Sequence, residues 1–240
     1  MRYKSINLTR YLLLAFAVLL ITTGAVQLAM PDLEGVEDGV VLKIKNGKKV
    51  RERFISPSMP GFVRSEKLPK HVYGAIITSE DEDFYTHHGI SLNETIEAAK
   101  FDITHFTLKH GGSTITQQLA KNLYLNGRRT FTRKLAEAII AMKLEKKLTK
   151  RQILNYYLNI AEFGKGIYGL KQAANYYFNK SPEDLTAKEA AMLAVIMPKP
   201  ESRGQALYEN GSKDFQKRRV ANLLWRMREN GYITEGADGA

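Results

Sequence analysis

The 240-residue chain has no cysteine. That removes disulfide staples, a thiol nucleophile and a zinc–thiolate site from consideration. It does not fix a redox compartment, because a helical domain of this size needs no disulfides. Proline is scarce, at seven residues, and with a hydrophobic share of 44% this argues against general disorder. Acidic residues are also short in number, 25 against 36 Lys and Arg, leaving a formal net charge of +11. An excess of that size predicts an anionic partner: nucleic acid, acidic lipid or a phosphorylated substrate. The positive charge is concentrated. Ten basic residues (Lys121, Arg128, Arg129, Arg133, Lys134, Lys143, Lys146, Lys147, Lys150 and Arg151) face only Glu137 and Glu145 between positions 121 and 151. The competing reading of such a run is a solvated helix face.

Charge is wholly missing from Tyr11 to Met30, YLLLAFAVLLITTGAVQLAM. Twenty helical residues span roughly 30 Å, the hydrocarbon thickness of a bilayer. Arg2, Lys4 and Arg10 precede the run, and Asp32, Glu34, Glu37 and Asp38 follow it. The positive-inside rule then predicts a single-pass anchor at 11–30, a cytoplasmic tail at 1–10, and everything downstream outside the cytoplasm. A cleaved signal peptide is the rival, but no Ala-x-Ala site ends the run. Either reading exports the chain, which sets nucleic acid aside as the partner. Residues 31–55 read as a linker and a small β-hairpin, VVLKIK and KKVRERF around Asn46-Gly47. From about Lys70 the pattern is helical almost to the end. Four capping boxes mark helix starts: Ser91/Glu94, Thr114/Gln117, Thr149/Gln152 and Thr186/Glu189. The expectation is one mostly α-helical domain over 56–240.

Glu80 is the first candidate for chemistry. Helical spacing sets it beside Tyr73, Ile76, Ile77 and Phe84, a face that desolvates a carboxylate and suits a general acid or base. The alternative is a solvent-facing carboxylate in the run Glu80-Asp81-Glu82-Asp83. Glu137 is the single charge in LAEAIIAM, a stretch apolar nearly all round and so expected to be buried. It is either a second cleft carboxylate or a structural partner of Arg133, one turn away. Gly111-Gly112 leads into Ser113, Thr114, Gln117, Gln118 and Lys121, a helix start able to bind sugar and phosphate oxygens. Ordinary capping by Thr114 and Gln117 is the bland alternative. The five histidines have no metal-site spacing, the Ser-x-x-Lys nucleophile pattern is absent, and Gly164-Lys-Gly-Ile-Tyr-Gly169 is too loose for a dinucleotide fingerprint.

Five stretches, in order, resemble the peptidoglycan glycosyltransferase family, the module shared by class A penicillin-binding proteins and single-function transglycosylases. They are EDEDFYTHHG (80–89), GGSTITQQLAKNLYL (111–125), RKLAEAIIAMKLE (133–145), ILNYYLNIAEFGKGIYGLKQAANYYF (153–178) and LTAKEAAMLAVIMPKP (185–200). The resemblance implies a lysozyme-like, two-lobed α fold, with a membrane-dipping segment near 96–110. It implies a polymerase of lipid II, making β-1,4 glycan strands by inversion in the cytoplasmic membrane, with its domain on the outer side. Catalytic roles fall on Glu80 and Glu137. Substrate-binding roles fall on Ser113, Thr114, Gln117, Gln118, Lys121, Arg129, Arg133 and Lys134. Expected partners are lipid II, the growing strand, membrane lipid and other cell-wall synthesis proteins. No organic cofactor is implied, and a divalent cation, Mg or Mn, beside Glu137 is left open. The chain departs from the family pattern at Glu82, usually Arg, and after Pro200, where Glu-Ser-Arg-Gly-Gln-Ala replaces a proline-rich continuation. With no transpeptidase segment after it, the sequence resembles the monofunctional form. The alternatives are a lytic, lysozyme-like enzyme and a non-catalytic scaffold that binds lipid II.

Overall fold

The computed structural model describes residues 11–13, 16, 31–46, 49–91, 112–125, 130–211 and 215–234. The expected anchor at 11–30 therefore lies almost wholly outside the described residues, and Arg129, the segment at 96–110 and Glu94, the partner of Ser91 in the first expected box, lie outside them. Among the described residues no helix is long and apolar enough to cross a membrane.

The chain folds mostly as helices behind an antiparallel hairpin. Strands β1 (Val40–Asn46) and β2 (Lys49–Ile55) pair from Val40 with Ile55 to Asn46 with Lys49. Helix α1 (Lys70–Glu80) follows Pro69, which precedes the first turn without removing a needed donor. Then come α2 (Ile115–Tyr124), α3 (Phe131–Lys147) and α4 (Lys150–Ile160). A short ribbon, β3 (Glu162–Gly164) with β4 (Ile167–Tyr168), fills a stretch that the sequence marks only as glycine punctuation. The rest is α5 (Leu170–Phe178), α6 (Ala187–Ile196), α7 (Pro200–Asn210) and α8 (Lys217–Glu229).

The caps form as their residues dictate. Thr114, Thr149 and Thr186 each accept the N–H three residues on, and Gln117, Gln152 and Glu189 reach back to complete the boxes. Helix α3 departs from expectation. It buries one stripe, Glu137, Ile140, Ala141 and Leu144, rather than its whole circumference, and Met142 is 41% exposed. Its spacing of i, i+3, i+4 and i+7 is that of a surface helix, so small and apolar residues on its flanks overstated its burial.

Helices α1, α6 and α8 pack together, and α2 packs on α3 and α4. One polar junction fastens the first group to the second. Asp81, just past α1, is 1% exposed. Its carboxylate accepts the Ile115 N–H at 2.8 Å and the His87 Nε2–H at 2.9 Å. Nδ1 of His87 in turn accepts the Gly89 N–H at 3.0 Å, which leaves the proton on Nε2. The Gly89 carbonyl then accepts the Thr114 hydroxyl at 2.7 Å. Gly89 is irreplaceable by geometry: φ is +94° and a Cβ would sit 2.9 Å from the Ala141 carbonyl carbon. On α4, Asn159 and Asn155 accept the N–H groups of Val63 (2.9 Å) and Ser65 (2.7 Å), pinning the segment that leads into α1.

Asp81→Ala should lower the unfolding free energy by about 3–5 kcal/mol, because two hydrogen bonds to a buried charge go at ~1.5–3 kcal/mol each. Urea unfolding followed by circular dichroism measures this. A change within ~0.5 kcal/mol would show that the junction is not holding the two helix groups.

Candidate active site

The four consecutive acids fall into three environments, with Asp83 intermediate like Glu80. Glu80 is the last residue of α1 and only partly exposed, Asp81 is buried, and Glu82 is exposed. Glu80 Oε2 accepts the Gln118 side-chain N–H at 2.9 Å. Gln118 is held from its other end, its Oε1 accepting the Tyr157 hydroxyl at 2.9 Å. A longer contact of 3.4 Å runs from the Ser79 hydroxyl to Glu80 Oε1. Burial pushes the Glu80 carboxyl above its ordinary range; the bonds from Gln118 and Ser79 and the charges of Lys121 and Arg203 oppose this without overcoming it. Burial also drives the Tyr157 hydroxyl well above its usual value, so it stays a donor.

Glu137 is 4% exposed and each of its oxygens has a cation: Arg133 at 2.9 Å on Oε1 and Lys134 at 3.1 Å on Oε2. The expected Arg133 pair is present, and Lys134 extends it to the Ser113 hydroxyl, which accepts from Nζ. Lys121 lies within electrostatic reach of both glutamates. Burial lowers its pKa first, Arg133 and Lys134 lower it further, and Glu137 and Glu80 pull it back. Glu80, Gln118, Lys121, Arg133, Lys134, Glu137 and Ser113 therefore form one constellation on α1, α2 and α3. Thr114 and Gln117 lie differently. They are 0% and 3% exposed, and the Thr114 hydroxyl and the Gln117 Oε1 are committed to the cap and to Gly89. The capping reading accounts for both.

Both oxygens of Glu137 are taken by Arg133 and Lys134. Among the described residues no group of three or more His, Asp or Glu is placed to hold a metal ion.

The basic run also divides. Lys150 pairs with Glu145 at 2.7 Å and lies 4.7 Å from the centre of the Phe84 ring, while Glu145 also accepts the Thr116 hydroxyl at 2.6 Å. This part of the run is scaffold. Glu82, the charge reversal, turns away to α8, where its two oxygens meet Arg226 at 2.7 Å and the Asn230 amide. Burial raises its pKa, but those two bonds and the Arg226 charge outweigh it and hold the carboxyl below its ordinary value. The spacing argument missed Asp81, Tyr157 and Arg203. Asp81 was legible only as one of four acids. Tyr157 carries no signal beyond its place in a matched stretch, and Arg203 falls where the pattern breaks.

Comparison with known proteins identifies the family. A family model described as Transglycosylase matches residues 47–228. The chain is 42% identical over 179 residues to a biosynthetic peptidoglycan transglycosylase of Shewanella frigidimarina, covering 74% of this chain and 77% of that one. It is 41% identical over 190 residues to penicillin-binding protein 1F of Bacillus subtilis, covering 79% of this chain and 26% of the relative. With penicillin-binding protein 1A of Aquifex aeolicus it shares 40% identity over 173 residues, 72% of this chain and 23% of the relative. The chain thus spans about a quarter of the length of those two penicillin-binding proteins. With a family-model match over most of its length and relatives about 40% identical, the chain belongs to the transglycosylase family.

Proposed function

We propose that the chain polymerises lipid II into peptidoglycan glycan strands, joining disaccharide units carried on polyprenyl pyrophosphate. The observation that carries this reading is the desolvated Glu80 carboxyl fixed by Gln118 beside Lys121 and the Arg133–Glu137–Lys134 cluster. Glu80 takes the proton from the acceptor sugar's 4-hydroxyl as that oxygen attacks the anomeric carbon of the growing strand. The α-linked pyrophosphate leaves from the opposite face, and a β-1,4 bond forms with inversion. General-base catalysis of this kind is worth typically ~10²–10⁴-fold. A raised pKa makes Glu80 a stronger base, and burial keeps water from competing for the proton.

Lys121, Arg133 and Lys134 meet the charge growing on the pyrophosphate, with Arg129 as a further contributor from outside the described residues. Glu137 orients Arg133 and Lys134, and Ser113 shares Lys134. Thr114 and Gln117 serve by shaping the turn that presents Gln118. The paired oxygens of Glu137 support an orienting role over one as a ligand to Mg or Mn. No step is routed through a metal or an organic cofactor. Membrane lipid, the growing strand and other cell-wall synthesis proteins are the partners in this reading, and nucleic acid is not. The proposed location is the cytoplasmic membrane, single-pass through 11–30, with the domain on its outer side. The cation cluster favours a pyrophosphate substrate over the neutral glycan of a lytic enzyme. The Glu82–Arg226 pair supports a working enzyme over a degenerate scaffold, because the reversed charge is neutralised on α8.

Two outcomes test this. Glu80→Gln in the detergent-solubilised full chain should lose at least ~10²-fold in strand formation from lipid II, with its circular dichroism spectrum unchanged; near-full activity would remove Glu80 from the chemistry. Gln118→Leu deletes a bond that stabilises the carboxylate, so Glu80 should protonate at higher pH. The acidic limb of its pH–rate profile then moves upward relative to wild type. An unmoved limb would detach Gln118 from the base.

A further inference from the structure

The ribbon of β1 and β2 has one face in the core and one bare. On the inner face Val40, Leu42 and Ile55 are buried, with β1 against α2. On the outer face the cross-strand pair Val41–Phe54 lies at the base of the ribbon and Val50 near its turn. These three apolar side chains are 42%, 55% and 52% exposed. Arg51 and Arg53 stand opposite Ile44 and Leu42 yet remain exposed, and among the described residues neither has an acidic partner. Over Val40–Ile55 the sequence holds six basic residues and one acid, Glu52. Lys43 takes that acid at 3.5 Å.

This ribbon follows closely on the end of the uncharged run. The run stops at Met30, and Leu33 is already in the core, 5% exposed. Three residues of extended chain reach at most about 10 Å, little more than the headgroup layer beside a bilayer's hydrocarbon. From Leu33 the chain is pinned. Val36 is buried and its N–H meets the Leu33 carbonyl, while the Asp38 and Gly39 N–H groups meet the Gly35 carbonyl. The Tyr156 hydroxyl of α4 donates to the Glu37 carbonyl at 3.1 Å, and the Ser56 hydroxyl donates to the Asp38 carbonyl at 2.6 Å. The Phe54 ring then lies where a Cβ on Gly39 would stand. An anchor ending at Met30 therefore holds the base of the ribbon, with Val41 and Phe54, close to the bilayer surface.

We propose that the ribbon docks on the bilayer that holds the anchor, with Val41, Val50 and Phe54 entering the acyl boundary and Lys49, Arg51 and Arg53 meeting anionic phospholipid headgroups. The proposal rests on the single-pass anchor at 11–30. The basic side chains need not share the apolar face. A sheet is ~10 Å through, about one Debye length of ~8–10 Å, so both faces feel the headgroup charge. Three apolar side chains would hold a free domain weakly, but a short tether makes docking intramolecular at an effective concentration of about millimolar. A second copy of this chain fits the ribbon poorly, because β2 would set Lys and Arg against their own kind, and charge along an edge strand deters pairing.

The test uses the full chain reconstituted in vesicles. The sequence has one tryptophan, Trp225, so Phe54→Trp made together with Trp225→Phe leaves a single reporter on the outer face. In vesicles of phosphatidylcholine and phosphatidylglycerol brominated on their acyl chains, its emission should fall at least about twofold relative to unbrominated vesicles, as expected for a side chain at the acyl boundary. Val50→Trp in the same background is a second reporter, away from the Gly39 contact. Omitting phosphatidylglycerol, or adding Arg51→Gln/Arg53→Gln, should relieve most of the quenching. No quenching of either reporter, in protein that still floats with the vesicles, would overturn the docking and leave the anchor in place. Quenching that is indifferent to phosphatidylglycerol would overturn the headgroup contact. Protein stripped from the vesicles by alkaline carbonate would remove the anchor, and the proposal with it.

Discussion

A carboxylate buried to 1% exposure must be fully paired or it costs several kcal/mol, and Asp81 meets that demand with groups from two separate parts of the chain. It takes the first free N–H of α2 and the Nε2–H of His87, whose other nitrogen fixes Gly89, whose carbonyl fixes Thr114. The end of α1 and the start of α2 are thereby locked in one register. Glu80 is the residue before Asp81, and Gln118 lies one turn into α2, so the same lock brings the proposed base and its amide partner to 2.9 Å. In the proposed reaction the chemistry is carried by one residue of the pair and the geometry by its neighbour.

Charge is distributed by the same logic of pairing. Lys150 and Glu145 neutralise each other beneath Phe84, Glu137 gathers Arg133 and Lys134, and Glu82 holds Arg226. What remains unbalanced is informative. Lys121 is partly stripped of water within electrostatic reach of both glutamates, and Arg203 of α7 shares a cavity with Arg218 and Arg219 of α8. The charges of Lys121 and Arg203 both act on Glu80.

Much of this was legible in the sequence, and the limits have physical causes. Threonine followed three residues later by Gln or Glu specifies a local, short-range interaction, so the boxes at 114, 149 and 186 formed as read. The Val40–Ile55 hairpin is likewise local. Apolar neighbours at helical spacing made Glu80 and Glu137 candidates for desolvation, and the ordered motifs of the resemblance singled them out from the acids around them. Spacing could not tell that Asp81 would be buried and Glu82 exposed, since that depends on where the chain turns after α1. Tyr157 and Gln118 are 39 positions apart, and Arg203 comes within electrostatic reach of Glu80 because α7 folds back on α6. The burial of α3 was overstated for a related reason: alanine and isoleucine tolerate a half-exposed flank, and composition alone does not reveal which side has a neighbour.

The central claim is that burial and a positioned amide, rather than free exposure among four acids, set the state of Glu80. Carbon-13 NMR titration of selectively labelled glutamate carboxyls, in the full chain in detergent micelles and with Glu80→Gln to assign the resonance, measures this directly. The account predicts a midpoint above the ordinary glutamate value of ~4.3. A midpoint at or below that value would contradict it.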